Sequence, residues 1–373
     1  MMQPAERLNG MGISAIRRIA QGAPEDAISL GLGEPTWDMP EPARRALAAF
    51  DGVCSYGPQP GRWEVRESIA RYHGVDPGHV LVTNGTQEAL YVIAQAFLNP
   101  KDEVLVPDPG FVGYPGVIRL AGAIPVPYRL SADDRFRLDA EAVAETLSQH
   151  PRTRMIILNH PSNPTGGGAS LQALRAVADL ARAKGVILVS DEVYRELHYG
   201  HRPPSLLDVT HDGFVLNSVS KGFGCPGLRL GWAVVPPAAL PSLRIVHGYA
   251  VTCASSPAQR AAAALLDARE EVLPAARREV GIRFEALRDA LKEHFGQDAS
   301  PPDGSFYHLL PLPERETHDP LAFCLRLREE AKVVLVPGIA FGEAGRPFAR
   351  LSFAALPDHI HEAVARLAPY LHT

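Results

Sequence analysis

One lysine lies in a sequence context that suits covalent chemistry better than a surface charge. Only five of the 37 basic residues are lysines, and Lys221 is set between two stretches of small residues, Ser218-Val-Ser220 and Gly222-Phe-Gly-Cys-Pro-Gly227. Burial lowers the pKa of a lysine amine from its usual value of about 10.4, and the neutral amine can condense with an aldehyde. For this residue alone, a surface lysine beside a turn is the alternative interpretation.

Residues that could serve an aldehyde cofactor such as pyridoxal phosphate follow other apolar runs of the chain. This cofactor needs an amine for its aldehyde, an anion at its ring nitrogen, donors for its phenolic oxygen, a stacking face and a phosphate site. Asp191 could hold the proton on the ring nitrogen, and Phe111 offers a flat face. Tyr194 and Asn163 could donate hydrogen bonds to the phenolic oxygen.

A further group of residues could bind the phosphate. Gly85, Thr86 and Gln87 begin a predicted helix, where free backbone N–H groups and the helix dipole attract anions. Three residues around Lys221 could close on the same phosphate, namely Ser218, Ser220 and Arg229. Thr86 and Ser218 could instead be helix-cap or turn residues.

The elements that must position these residues alternate along the chain between short β-branched runs and longer helical patterns. This alternation predicts an α/β fold, with a mainly parallel sheet and helices on both faces. Ligands bind such sheets at the carboxyl ends of the strands, where the residues above are found. The predicted strands are His79–Thr83, Glu103–Val106, Arg154–Leu158, Val186–Val189, Phe214–Leu216 and Leu230–Val235, and the predicted helices include Gln87–Leu98, Phe111–Leu120 and Leu171–Ala183.

The last third of the chain predicts a smaller α+β unit. Helical patterns near Ser256–Leu266 and Glu270–Phe295 lead into apolar runs at Tyr307–Leu310, Val333–Val336 and Arg350–Phe353, followed by a closing helix. We therefore expect a large domain at residues 39–276, and a small domain formed by residues 1–38 and 277–373.

Composition limits the classes of function. The chain has 373 residues and a formal net charge of -5, so nothing in its charge favours binding to nucleic acid or anionic lipid. No apolar run reaches the length of a membrane span. The four cysteines are far apart and form no C-x-x-C pair, so we expect neither a disulfide framework nor a metal site, and we predict a cytoplasmic protein.

Six sequence blocks together resemble one known family. The chain resembles the class I/II aminotransferases, fold-type I pyridoxal phosphate enzymes of the aspartate aminotransferase superfamily, along nearly its whole length. The matching blocks are Gly31-Leu-Gly-Glu-Pro35, Pro161-Ser-Asn-Pro-Thr-Gly166, Ser190-Asp-Glu-Val-Tyr194, the run from Ser218 to Gly231 around Lys221, Pro337-Gly-Ile-Ala-Phe-Gly342 and Arg350-Leu-Ser-Phe353.

The resemblance implies roles for matched residues. Lys221 would form the internal aldimine and then move the proton, with Asp191 at the pyridinium and Tyr194 at the phenolic oxygen beside Asn163. Phe111 would stack on the ring. The phosphate would be held by Thr86, Gln87, Ser218 and Arg229, together with Tyr56 of a second subunit, which implies a homodimer with shared sites. The α-carboxylate of the substrate would be bound by Arg350, the backbone of Gly33 and the side chain of Asn163.

The family implies transfer of an amino group from an α-amino acid to a 2-oxo acid, but the residues leave alternatives open. A lyase that eliminates at a C–S bond, or an enzyme that forms C–C bonds, would use the same cofactor site. We find no additional helix-turn-helix segment, as the effector domain of a transcription regulator would need, and no G-x-G-x-x-G for a dehydrogenase.

Few residues of the sequence bear on the side chain of the substrate. Some aspartate-using members of the family carry a lysine where this chain has Gln87, and Arg62 is the only other basic candidate for a distal carboxylate. We therefore favour a neutral or aromatic amino donor over aspartate.

Overall fold

A seven-stranded sheet forms the centre of the larger part of the molecule. The computed structural model describes residues 2–13, 15–51 and 53–371. The strand order is β2-β8-β7-β6-β5-β3-β4, with β8 antiparallel to β2 and β7 and the other neighbours parallel. The strands are β2 (Val80–Thr83), β3 (Glu103–Asp108), β4 (Ile124–Arg129), β5 (Thr153–Asn159), β6 (Ile187–Asp191), β7 (Phe214–Ser218) and β8 (Gly231–Val234). The predicted mainly parallel sheet is confirmed.

The two faces of this sheet bury different side chains of the same strands. Leu105 and Ile156 belong to one core cluster, whereas their sequence neighbours Val104 and Met155 belong to another. Successive side chains of a strand point to opposite faces, so a strand buried on both sides reads as a continuous apolar run. Helices therefore cover both faces of the sheet.

The helices predicted from the sequence begin and end close to their observed bounds. In α7, Ser170 caps the first turn by accepting a hydrogen bond from the N–H of Ala173, and Gly185 ends the helix in the left-handed conformation. The helices are α1 (Ala15–Ala20), α2 (Glu41–Ala48), α3 (Trp63–His73), α4 (Thr86–Phe97), α5 (Gly113–Leu120), α6 (Ala140–Gln149), α7 (Leu171–Lys184), α8 (Leu240–Val251), α9 (Ser256–Asp267), α10 (Arg269–Phe295), α11 (Pro320–Arg326) and α12 (Pro357–Leu371).

The sequence patterns miss one strand of the large sheet. β4 lies at the sheet edge beside β3, and it contains Pro125 and Pro127. Proline cannot donate to a strand ladder and is confined mainly to edge strands, so the run does not read as a strand in the sequence. Helix α6, which follows it, is also absent from the predicted elements.

A second, smaller sheet carries the C-terminal part of the chain. It has the order β11-β12-β9, with β9 (Tyr307–Pro311), β11 (Val336–Pro337) and β12 (Phe348–Ser352) antiparallel. The run Val333–Val336, predicted as one strand, is divided: β10 (Val333–Val334) pairs instead with β1 (Ile28–Ser29). This pairing attaches the segment before the large sheet to the smaller unit.

Helix α10 passes between the hydrophobic cores of the two parts. Val272 and Leu273 pack into a core cluster of the large sheet, whereas Ala276 and Val280 pack into the cluster around β9, β12 and α12. The change of partner falls near residue 276, while the domain boundaries themselves stay a prediction. None of the helices in the described ranges is long and apolar enough to cross a membrane.

Candidate active site

A cavity of about 270 Å³ collects most of the predicted site residues. It opens at the carboxyl ends of the parallel strands, as is usual for such sheets. The predicted residues that line it are Gly33, Thr86, Gln87, Phe111, Asn163, Asp191, Tyr194, Ser220, Lys221, Arg229 and Arg350. Residues from both sheets therefore meet in one cavity.

Lys221 follows β7 on a tight turn and points its amine into this cavity. The turn is closed by backbone hydrogen bonds from Gly224 to Lys221 and from Cys225 to Val219. The Nζ donates to the carbonyl of Gly33. Burial, followed by repulsion from Arg350, lowers the pKa of Lys221 to about 8. About a tenth of this amine is therefore neutral and nucleophilic at pH 7, and about half at pH 8.

Asp191 is the last residue of β6 and is buried in the wall of the cavity. Its Oδ2 accepts a hydrogen bond of 3.0 Å from the Tyr114 hydroxyl, and its Oδ1 accepts one of 3.3 Å from the N–H of Val193. Burial outweighs these bonds and raises the pKa of Asp191 to about 6. The charge of Lys221 offsets this burial only in part, so a protonated ring nitrogen would suit this position.

Asn159, the last residue of β5, links the backbone of Asp191 to the loop that follows β5. The Asn159 amide donates to the carbonyl of Asp191 over 3.0 Å, and its Oδ1 accepts the N–H of Asn163 over 2.9 Å. These bonds hold the backbone at Asn163, whose side-chain Oδ1 accepts a hydrogen bond of 2.8 Å from Arg350. Tyr194, after β6, shares a hydrogen bond of 2.8 Å with Tyr307.

The N-terminus of α4 lies at one end of the cavity. Gly85 precedes it with a φ of +90°, and a Cβ there would be only 2.6 Å from the Arg229 guanidinium. Glu88 in the first turn accepts the N–H of Asn84 over 2.6 Å, which closes this turn. The close approach of Arg229 to free helix N–H groups makes this end suitable for a phosphate.

Arg350 on β12 is a buried guanidinium that has no acidic partner among the described residues. It is 1% exposed and is stacked between the rings of Tyr307, 4.5 Å away, and Phe341, 4.7 Å away. Its hydrogen-bond acceptors in the described chain are the Asn163 side chain and the Gly31 carbonyl, and its Nε has no partner there. Burial lowers the pKa of Arg350. Such a group would gain most from a bound carboxylate.

Several predicted residues do not line the cavity. Gly85 lies behind Thr86 as the N-cap of α4, and the buried Ser218 accepts the N–H of Ser220 over 3.1 Å. Tyr56 is 85% exposed and lies outside the cavity. Arg62 lines a different cavity, where its guanidinium donates to Ser256.

Sequence reasoning also missed residues that line the cavity. Tyr114 lies three positions after Phe111, and this helical spacing could have indicated a shared face. Tyr307 had no such signal, because it meets Tyr194 across a separation of 113 residues. The other residues that were missed are Ile16, Asn159, Val193 and Pro226.

Comparison with known proteins places this geometry in a family. The family model "Aminotransferase class I and II" matches residues 25–367. An aspartate aminotransferase of Pyrococcus horikoshii is 32% identical, with 97% of this chain and 96% of that protein covered. An enzyme of Thermococcus litoralis named aromatic-amino-acid aminotransferase 2 is 33% identical over 99% of this chain and 98% of its own.

Solved structures agree with these relatives. An aspartate aminotransferase of Thermus thermophilus with maleate has a TM-score of 0.90 and 32% identity, and the match covers 100% of both chains. N-succinyldiaminopimelate aminotransferase of Mycobacterium tuberculosis has a TM-score of 0.90 and 30% identity over 99% of this chain and 100% of that one. The chain therefore belongs to the class I and II aminotransferases, a family of pyridoxal-phosphate-dependent enzymes that transfer amino groups.

Proposed function

We propose that this aminotransferase binds pyridoxal phosphate in the cavity at the strand ends and attaches it to Lys221. The observation that carries the proposal is the arrangement of one partly neutral amine, one buried carboxyl group and one buried guanidinium around the same space. No other lysine lines this cavity among the described residues.

The residues present fit the whole cofactor. Asp191 would hold the ring nitrogen and Phe111 would stack on the ring, while Asn163 and Tyr194 would donate to the phenolic oxygen. The phosphate would bind at Thr86, Gln87, Ser220 and Arg229, while Gly85 and Ser218, which do not line the cavity, would support them as the N-cap of α4 and as the acceptor for the N–H of Ser220. When bound, the cofactor supplies an electron sink for the bonds at the substrate α-carbon.

The protein's own residues would bind the substrate and move its proton. Arg350 would hold the α-carboxylate through its fork of N–H groups, helped by Asn163 and the backbone of Gly33. The amine of Lys221, with a pKa lowered to about 8, would take the proton from the α-carbon and return it at the cofactor. The buried stack around Arg350 keeps water away from this contact.

We propose an amino donor with a neutral or aromatic side chain, with 2-oxoglutarate as a possible acceptor. Among the described residues that line the cavity, the cations are Lys221, Arg229 and Arg350, and each already has a role. Ile16 and Pro226 add apolar surface. The relatives' names include both aspartate and aromatic amino acids, so the donor must be measured.

We also propose a homodimer in the cytoplasm. Several large apolar side chains are exposed in the single chain, including Val53, Tyr56, Ile245 and Tyr249. A second copy would cover them and bring its Tyr56 to the neighbour's phosphate. The cytoplasm would keep the exposed Cys54 in its reduced form.

A half-reaction assay tests the proposed function. The enzyme loaded with cofactor is mixed with each of the twenty amino acids in turn, and the keto acid, ammonia and conversion of the cofactor to its amine form are measured. We expect stoichiometric keto acid without ammonia, fastest with neutral or aromatic donors. Release of ammonia would favour the lyase alternative. Gln87→Lys is the matched variant, and it should improve the use of aspartate relative to the wild type.

A further inference from the structure

Two tyrosines from different parts of the fold meet at the wall of the cavity. Tyr194 follows β6 of the large sheet, and Tyr307 is the first residue of β9 in the small sheet. Their hydroxyl oxygens are 2.8 Å apart, and the residues are 4% and 1% exposed. Buried hydroxyl groups need hydrogen-bond partners, so the direction of this bond matters.

The proposed cofactor placement decides which tyrosine donates. Within the described chain, neither hydroxyl has a hydrogen-bond partner other than the hydroxyl of the other tyrosine, and both residues line the cavity. In the cofactor placement proposed above, the single hydroxyl proton of Tyr194 goes to the phenolic oxygen, so Tyr194 cannot also donate to Tyr307. The favourable arrangement has Tyr307 donating to Tyr194. The proton of Tyr194 is then free to point into the cavity that its side chain lines.

Tyr307 is held rigidly in this position. Its ring lies 4.5 Å from the Arg350 guanidinium, and its backbone pairs with Ser352 on β12. A Cβ added at Gly33 would come within 1.9 Å of the Tyr307 hydroxyl, so only glycine leaves room for it. The hydroxyl therefore has little freedom to turn away from Tyr194.

We propose that Tyr307 is a positioning residue that directs the hydroxyl proton of Tyr194 into the cavity and so fixes Tyr194 as a donor to the phenolic oxygen of the cofactor. This inference rests on the cofactor placement proposed above. A chain of two hydrogen bonds makes the terminal donor stronger, because each bond polarises the next. Tyr307 would thus tune the cofactor without touching it.

The visible absorption of the bound cofactor reports this effect. A donor to the phenolic oxygen stabilises the negative charge that remains there when the chromophore loses its proton, and so lowers the pH at which the absorption band changes. The charged groups that face the two tyrosines are Lys221, 5.8 Å from the Tyr194 ring, Arg350 and Asp191. None of them is altered in the test below.

The experiment is a pH titration of the absorption band in Tyr307→Phe, Tyr194→Phe and the double variant. Tyr307→Phe should raise the midpoint by about 0.5 pH unit, and Tyr194→Phe should raise it further. In the Tyr194→Phe background, Tyr307→Phe should add nothing, because its target hydroxyl is gone. The ring under Arg350 is kept in Tyr307→Phe, so the KM for amino acids should stay within about twofold of the wild type.

Matched controls separate the hydroxyl from packing. Tyr128→Phe removes another buried hydroxyl, which donates to the carbonyl of Ile157 away from the cavity, and it should leave the midpoint unchanged. Tyr307→Leu removes the ring as well and should raise the KM in addition.

The outcomes distinguish this inference from the proposed function. If Tyr194→Phe leaves the midpoint unchanged, the proposed placement of the cofactor is wrong, and the inference falls with it. If Tyr194→Phe shifts the midpoint and Tyr307→Phe does not, or shifts it equally in both backgrounds, only the inference is overturned.

Discussion

The surroundings of Asp191 favour a positively charged group beside its carboxylate. Its carboxyl group is buried, and its hydrogen-bond donors are the hydroxyl of Tyr114 and the N–H of Val193. These neutral donors do not offset the loss of water, so the pKa of Asp191 is raised to about 6. A positive charge placed beside this group would lower that pKa and keep the carboxylate ionised.

Asp191→Asn should lower turnover by about 100-fold or more, because a neutral amide cannot stabilise the positive charge on the ring nitrogen. Substrate binding should change much less, so the loss falls in kcat rather than KM. Steady-state kinetics measure both quantities. Tyr114→Phe is the matched control, since it removes one neutral hydrogen bond and keeps the charge. Unchanged turnover in Asp191→Asn would remove Asp191 from the mechanism.

Asp191→Asn should also change how the stability of the apoprotein depends on pH. The pKa of Asp191 is raised to about 6 in the folded protein, against about 3.9 in the unfolded chain, so the folded protein binds this proton more tightly. The stability that the bound proton provides is fully present below about pH 3.9 and is lost as the pH rises past about 6. The Asn variant lacks this loss. Thermal melts of the apoprotein should therefore show Asp191→Asn gaining stability relative to the wild type between pH 4 and pH 7.

At the scale of elements, the carboxyl ends of parallel strands explain why so much of the site is predictable. β5, β6 and β7 run parallel in neighbouring positions, so Asn163, Asp191 and Lys221 converge even though no sequence pattern states their distances. The loops after apolar runs can be found by inspection, and parallel pairing places them at one edge.

The parts that could not be predicted depend on contacts between distant elements. The run Val333–Val336 looks like one strand, but its two halves pair with different partners, β1 and β12. Tyr307 becomes a site residue only because β9 of the small sheet approaches the loop after β6. Periodicity within a segment carries no information on such long-range packing.

The strand β12 bridges the two units through Arg350, which leads to a prediction on substrate binding. Arg350→Lys should weaken binding of every α-amino acid by about 1.5–3 kcal/mol for each charge-assisted hydrogen bond lost, because an ammonium lacks the planar fork. Cofactor binding should be retained. Half-reaction kinetics with amino acids and with amines lacking the carboxylate measure the effect. The rates with these amines should be nearly the same in Arg350→Lys and in the wild type.

Arg346→Lys is the control for this strand region, since Arg346 pairs with Glu343 at the surface. If Arg350→Lys leaves amino acid kinetics untouched, the carboxylate is bound elsewhere.

Considered as a whole, the described chain leaves large aromatic side chains exposed. Tyr56 is 85% exposed and Tyr249 is 93% exposed, which is unusual for large aromatic side chains. The proposed symmetric dimer would explain this exposure, because one interface would cover these residues and bring each Tyr56 to the other subunit.

Complementation tests this shared site. Lys221→Ala and Tyr56→Ala are each expected to be inactive, but a hybrid dimer would contain one intact site, with Lys221 from one subunit and Tyr56 from the other. An equal mixture after subunit exchange should recover about a quarter of wild-type activity. A mixture of Lys221→Ala with Lys221→Arg should recover none. A fully active monomer in light scattering would contradict the dimer.

In the proposed function Lys221 binds the cofactor covalently, and reductive labelling shows which lysine does so. The protein is loaded with pyridoxal phosphate, reduced with borohydride and digested, and the labelled peptide is identified by mass spectrometry. We predict one label for each chain, on Lys221, and none on the Lys221→Ala variant under the same conditions. A label on Lys184 or Lys332 in the wild-type protein, with Lys221 unmodified, would contradict the account.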